Sequence, residues 1–143
     1  MIAYIDASVL MRIVLRQDDP LRQWGDLEHG VSSALLSVEA YRTLDQLWRR
    51  NQLTDSELTE KRGILTTFLP RLDLYPIDAA ILNLASQSFP TPLRTFDAVH
   101  LATAVAYRAA QPHDERPLVF ATHDRELARA AESMRFEVIG APA

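Results

Sequence analysis

Ile2-Ala3-Tyr4-Ile5-Asp6 opens the chain with four apolar residues running straight into an acid. A short apolar run of this kind reads as a strand buried in a parallel sheet. Asp6 closes that strand. An acid there adds little to a core and must be hydrated, capped or paired. In a parallel α/β sheet, strand ends and the helix starts that follow them gather along one edge, where ligands bind. The rest of the chain is therefore read for other acids that this edge would collect.

Strand and helix signals alternate from end to end. After the strand Ile2–Ile5, a helix is expected from Ser8 to about Arg16, broken by Asp18, Asp19 and Pro20. A second strand is expected around Val31–Ala34, then a helix from Val38 to about Arg50 whose apolar positions Val38, Tyr41, Leu44, Leu47 and Trp48 keep helical spacing. Thr54 and Glu57 form a capping box for a helix ending before Pro70. Leu72–Pro76 reads as the third strand, and Asp78 as the cap of a helix to about Ser88. Past the rigid loop Phe89-Pro-Thr-Pro-Leu-Arg94 comes an Ala- and Leu-rich helix from Phe96 to about Ala109. A polar loop, Gln111–Arg116, leads to the strand Leu118–Ala121. A helix from His123 to about Met134 and a last strand, Phe136–Ile139, complete the chain. No repeat or linker divides it, so residues 1–143 are expected to form one α/β domain. Such alternation predicts a three-layer α/β/α arrangement around a parallel sheet of about five strands. Right-handed crossovers leave few topologies, and the order 3-2-1-4-5 is the one expected.

Three further acids share a local pattern, a hydroxyl residue followed two positions later by the acid: Ser37-Val-Glu39, Thr95-Phe-Asp97 and Thr122-His-Asp124. Each hydroxyl suits an N-cap, which would put each acid in the first turn of its helix. The helix dipole alone favours an acid there, by about 0.3–1 kcal/mol. Convergence of all four is another matter, because two carboxylates about 4 Å apart repel by roughly 4 kcal/mol at an effective dielectric near 20. Such a cluster needs a cation or takes up protons. Oxygen-only ligands suit a hard ion, Mg²⁺ or Mn²⁺, which can activate water and orient a phosphodiester. Phosphodiester hydrolysis is the chemistry the four acids suit best.

Composition narrows the field. The formal charge of −4 excludes a protein that wraps nucleic acid through bulk positive charge. All basic residues but Lys61 are Arg, the better bidentate phosphate ligand, although Arg-rich codon usage accounts for that as well. The absence of cysteine excludes disulfides, thiolate catalysis and thiolate zinc sites, and His29, His100, His113 and His123 lack the paired spacing of a zinc motif. No segment approaches the roughly 20 apolar residues of a membrane span, so a soluble, cytoplasmic protein is expected.

The stretch LRTFDAVHLATA (93–104), supported by YIDASVL (4–10), SVEAYRTL (37–44) and ATHDRELARAA (121–131), resembles PIN-domain nucleases, in particular the VapC-like toxins of toxin–antitoxin pairs. The resemblance covers essentially the whole chain. It implies an Mg²⁺- or Mn²⁺-dependent endoribonuclease, an RNA substrate, an antitoxin partner whose C-terminal part wraps the toxin, and a homodimer. Carried over by position, Asp6, Glu39, Asp97 and Asp124 become the catalytic and metal-binding quartet. Asp6 and Asp97 would be the principal ligands, Asp124 would complete the site, and Glu39 would hold the attacking water. Ser8 and Thr122 would be donors that aim the carboxylates, and Arg94 a phosphate contact. Of the other histidines, His100 lies one turn after Asp97 and could face the site, although a packed, hydrogen-bonded helix histidine is the stronger reading; His123, beside Asp124, reads as surface, with an RNA contact as the alternative.

Other readings stay open. Phosphotransferases resembling haloacid dehalogenases use a second Asp two residues after the first, where this chain has Ser8, and receiver-like domains need a Lys near a late strand. A PIN-like module that binds RNA or an antitoxin without cutting has no chemical need for four acids. A PIN nuclease of RNA processing remains compatible with the residues.

Overall fold

The computed structural model describes residues 1–111 and 116–142. Its centre is strand β1 (Ile2–Ile5), flanked by β2 (His29–Ser33) and β4 (Leu118–Ala121), with β3 (Asp73–Tyr75) and β5 (Val138–Ile139) at the edges. All pairings are parallel and the order is β3-β2-β1-β4-β5, as the alternation of elements predicts. Among the described residues, six α-helices cover the sheet: α1 (Ala7–Val14), α2 (Leu35–Arg49), α3 (Asp55–Phe68), α4 (Ala79–Ala85), α5 (Thr95–Ala110) and α6 (Arg125–Ser133).

The four buried residues of β1 divide between two cores, because successive side chains of a strand point to opposite faces. Ala3 and Ile5 pack with Val9 and Leu10 of α1, Leu36 and Leu44 of α2 and Leu65 of α3. Ile2 and Tyr4 face the other way, onto Leu101 and Ala104 of α5 and Leu127 and Ala131 of α6. On that second face the Tyr4 ring stacks on Phe120 of β4 at 5.1 Å between centroids. Burying one such apolar side chain contributes about 1.5–3 kcal/mol, so both layers are anchored to the central strand. Ile81 of α4 joins Val99 and Ala102 on the flank of α5.

β1 and β4 end level, with Ile5 opposite Ala121, and the Asp6 amide donates to the Ala121 carbonyl at 3.1 Å. The chain order runs outward to β2 and β3 on one side of β1 and to β4 and β5 on the other, so the topological switch lies between β1 and β4. Asp6 sits in that crevice.

Several element ends differ from those expected. α1 stops at Val14, two residues early, because Arg16 turns left-handed at φ 52° while the Gln17 amide bonds the Arg12 carbonyl. α2 and α6 close the same way, with Asn51 and Arg135 left-handed and the amides of Gln52 and Phe136 reaching back to Leu47 and Ala131. These are Schellman ends, and two of the three use Arg where Gly is usual. The α6 closure engages Phe136, which is why β5 is only Val138–Ile139. α2 begins at Leu35 and β2 at His29, both earlier than expected, and α4 ends at Ala85 rather than Ser88. Short 3₁₀ turns at Arg22–Asp26 and Leu69–Arg71 had no sequence signal. The Thr54–Glu57 capping box and the Asp78 cap both form. Most of the expected polar loop Gln111–Arg116, including His113, lies outside the described residues. Among the described residues, no helix is long and apolar enough to cross a membrane.

One glycine holds the chain end to the switch crevice. Gly140 has φ +85°, and its carbonyl accepts from His123 Nδ1–H at 2.7 Å. A Cβ there would stand 3.0 Å from both the Thr122 carbonyl oxygen and Leu21 Cδ1. Gly140→Ala is therefore expected to lower unfolding free energy by about 1–2 kcal/mol, the cost of a left-handed L-residue, with the clash adding to it. Urea denaturation checks this; an unchanged midpoint would contradict it.

Candidate active site

Asp6 is 4 % exposed, yet its carboxylate is not left bare. Its Oδ2 accepts from Ser8 Oγ at 2.6 Å and from Thr122 Oγ1 at 2.5 Å. Each hydroxyl is also an acceptor: Ser8 Oγ takes the His123 amide, and Thr122 Oγ1 takes the Asp124 amide, both at 3.0 Å. Hydrogen bonds to a charged group contribute about 1.5–3 kcal/mol each, enough to offset much of the cost of burying the acid. The same bonds fix the turn between β4 and α6, and so fix Asp124. Ser8 and Thr122 thus both donate to Asp6.

The hydroxyl-cap reading of the other three acids does not hold, and the reason differs at each. Ser37 lies inside α2; the hydroxyl at that entry is Ser33, whose Oγ accepts from the Leu35 amide. Glu39 is therefore in the second turn of α2, beyond the strongest pull of the helix dipole. Thr95 is itself the first helical residue of α5, after Arg94, and Asp97 does occupy the first turn. Thr122 is spent on Asp6, so Asp124 is the N-cap of α6, its Oδ1 accepting from the Leu127 amide at 2.8 Å.

The four acids nevertheless act on one another. The Asp97 carboxyl is pushed up to about 6 by partial burial, then by the charges of Asp6 and Asp124 and, more weakly, Glu39, against a lowering by His100. Asp97 is thus the point where carboxylates from β1, α2, α5 and α6 crowd together. His100 is completely buried, one turn after Asp97. Burial opposes its charge, but the hydrogen bond and charge of Glu39, aided by Asp6 and Asp97, outweigh it and raise its pKa. Its Nε2 bonds Glu39 Oε1, and its Nδ1 meets Tyr4 Oη at 2.7 Å. Burial, foremost, keeps the Tyr4 phenol protonated far above its usual range.

These two contacts were missed in the sequence. Tyr4 shares a strand face with Asp6, two residues on, and His100 shares a helix face with Asp97, three residues back. That spacing was the available signal. His123 is partly buried rather than a surface residue, bound to Gly140 through Nδ1 while its buried Nε2 has no hydrogen-bond partner. Arg94 is exposed at the mouth of α5 and makes no ion pair with the acids.

The donor chemistry fits a hard divalent cation: every candidate ligand is a carboxylate oxygen. Among the described residues, none donates to Asp6 Oδ1 or Glu39 Oε2, and Asp124 gives Oδ1 to its helix. Among the described residues, no three acid or imidazole side chains are drawn tightly enough to enclose an ion as they stand.

Residues 3–133 match the PIN domain family. The chain is similar to Ribonuclease VapC46 of Mycobacterium tuberculosis, 38 % identical over 104 residues that cover 71 % of this chain and 72 % of that protein. It is also similar to Ribonuclease VapC35 of the same organism, 30 % identical over 142 residues covering 95 % and 94 % of the two chains. Ribonuclease VapC47, again from Mycobacterium tuberculosis, is 27 % identical over 140 residues, covering 93 % and 92 %. The chain belongs to the PIN domain family.

The crowding has a thermodynamic signature. A carboxyl raised from 3.8 to about 6 on folding stabilises the fold fully below 3.8 and loses that contribution as pH rises through about 6. Glu28, Asp45 and Glu57 are lowered in the folded chain and tilt stability the opposite way. Comparison with Asp97→Asn cancels them. In chelator, wild type is expected to lose stability relative to Asp97→Asn across this window, read from thermal melts. Parallel pH profiles would show that folding does not raise the Asp97 carboxyl.

Proposed function

We propose that this PIN-family chain is an endoribonuclease that hydrolyses RNA phosphodiester bonds with Mg²⁺ or Mn²⁺, acting as the toxin of a toxin–antitoxin pair. What supports the reading most is Asp97, whose carboxyl is raised to about 6 by burial and then by the charges of Asp6, Asp124 and Glu39, acids carried on separate elements. The names of the similar proteins, all ribonucleases, support the activity and the substrate class.

Asp6 and Asp97 would be the principal metal ligands, with Asp124 completing the site. The ion, when bound, would supply Lewis acidity at a phosphoryl oxygen and a water of lowered pKa. Ser8 and Thr122 keep the Asp6 Oδ2 lone pairs occupied and so orient Oδ1. Glu39 would join the metal ligands through its free Oε2 and hold the attacking water for in-line attack. Arg94, exposed beside Asp97, would contact a phosphate of the bound strand. A formal charge of −4 means that RNA would be held by few contacts of this kind rather than by a broad positive field. An antitoxin and a second copy of the chain would be the protein partners, in the cytoplasm.

Asp6→Asn and Asp97→Asn are each expected to cut metal-dependent cleavage of total RNA by at least about 10²-fold, the scale of losing one preorganised transition-state contact. Both should stay folded by circular dichroism. Discrete fragments that require metal and vanish in both variants would support the nuclease. Cleavage that persists in EDTA, or in either variant at wild-type rate, would overturn it.

A further inference from the structure

We propose that His100 is a positioning residue for Glu39, held in turn by Tyr4, so that a buried Tyr4–His100–Glu39 chain sets where the α2 acid stands relative to Asp6 and Asp97. The inference rests on the metal-dependent reading above and adds His100 and Tyr4, which that reading does not use.

The argument is one of donors and acceptors. The Glu39 carboxylate only accepts, so its bond to His100 requires the proton on Nε2. Nδ1 then faces the Tyr4 hydroxyl at 2.7 Å, which donates to neutral imidazole and accepts from the charged ring. In either state Nε2–H remains aimed at Glu39. The ring cannot swing away to make another bond, since His100 and Tyr4 are both 0 % exposed. Ring packing adds to this: the Tyr4 and His100 rings meet edge to face at 5.7 Å. Thr103, one turn further along α5, donates its hydroxyl to the Val99 carbonyl at 2.6 Å, and with Ser32 it lies within hydrogen-bonding reach of the Tyr4 hydroxyl that backs the ring.

Each link sits on an element that carries an acid. Tyr4 is on β1 two residues before Asp6, His100 is on α5 three residues after Asp97, and Glu39 is on α2. The chain therefore ties three acid-bearing elements together through one imidazole. It also fixes which Glu39 oxygen is engaged: Oε1 is taken, and Oε2 is left for a ligand. A purely structural histidine in a helix needs only a backbone carbonyl or a packed neighbour. Binding Nε2 to a functional acid and Nδ1 to a buried phenol uses both nitrogens to orient that acid.

The test is Mn²⁺ binding to purified full-length protein, measured by electron paramagnetic resonance, beside thermal melts in chelator. Wild type, His100→Leu, His100→Gln and Tyr4→Phe are compared. His100→Leu removes the donor at similar bulk and is expected to weaken Mn²⁺ about 10–100-fold, as loss of a ligand-orienting partner does. His100→Gln places an amide N–H near the Nε2 position and should restore most of that affinity. Tyr4→Phe should weaken binding about two- to tenfold, the worth of one hydrogen bond, and keeps the question decidable if His100→Leu does not fold. Equal Mn²⁺ affinity in all folded variants, with only melting temperatures lowered, would overturn the positioning role and leave the metal-dependent reading intact. Wild type that binds no Mn²⁺ would overturn both.

Discussion

A carboxylate buried at the end of the central strand is the constraint on which the rest of this structure turns. Desolvating Asp6 costs several kcal/mol unless its oxygens are satisfied. The chain satisfies Oδ2 with two hydroxyls, one from the first turn of α1 and one from the end of β4. Because those hydroxyls also accept the amides of His123 and Asp124, solvating Asp6 and shaping the β4–α6 turn are one set of bonds. A change at Asp6 is therefore felt at Asp124 without any direct contact between the two side chains.

Strand β1 extends that control to the remaining acids. Tyr4 and Asp6 lie on one face of the strand's path, and each roots a hydrogen-bonded chain: Tyr4 through His100 to Glu39, Asp6 through Thr122 to the start of α6. Asp97 shares its helix face with His100 and feels its charge. Like charges are thus held near one another by hydroxyl and imidazole partners behind them, rather than being free to swing apart. Rigid support of this kind is what a preorganised ion site requires.

Periodicity made the layers, strand order and capping box of α3 legible, because each depends on residues a few positions apart. Helix ends were less so. Asn51 is a usual left-handed C-terminal residue, but Arg16 and Arg135 adopt the same conformation with no compositional warning. The acids themselves were legible at strand ends and helix starts, whereas their partners were not. Thr122 looks like a cap for the helix beside it and is instead a donor to an acid 116 residues away. His100 and Glu39 are 61 residues apart, and His100 and Tyr4 are 96 apart. A local pattern offers such groups a local role, and a stronger nonlocal acceptor overrides it.

The failed cap readings bear on what the acids are for. Had all three followed capping hydroxyls, the helix dipole would explain them at about 0.3–1 kcal/mol apiece. That explanation now covers Asp97 in its first turn and Asp124 as a cap, but not Glu39 in the second turn of α2, nor Asp6 at a strand end. It also fails on direction, because a carboxyl raised to about 6, by burial first and then by the charges of Asp6 and Asp124, is being opposed, not helped, by where it sits. Helix stability would favour dispersing these acids. The fold instead spends two buried hydroxyls, a buried imidazole and a buried phenol to keep them together. A cation is the balancing partner we propose for such an arrangement, at the edge of a parallel sheet between diverging crossovers, where ligands bind.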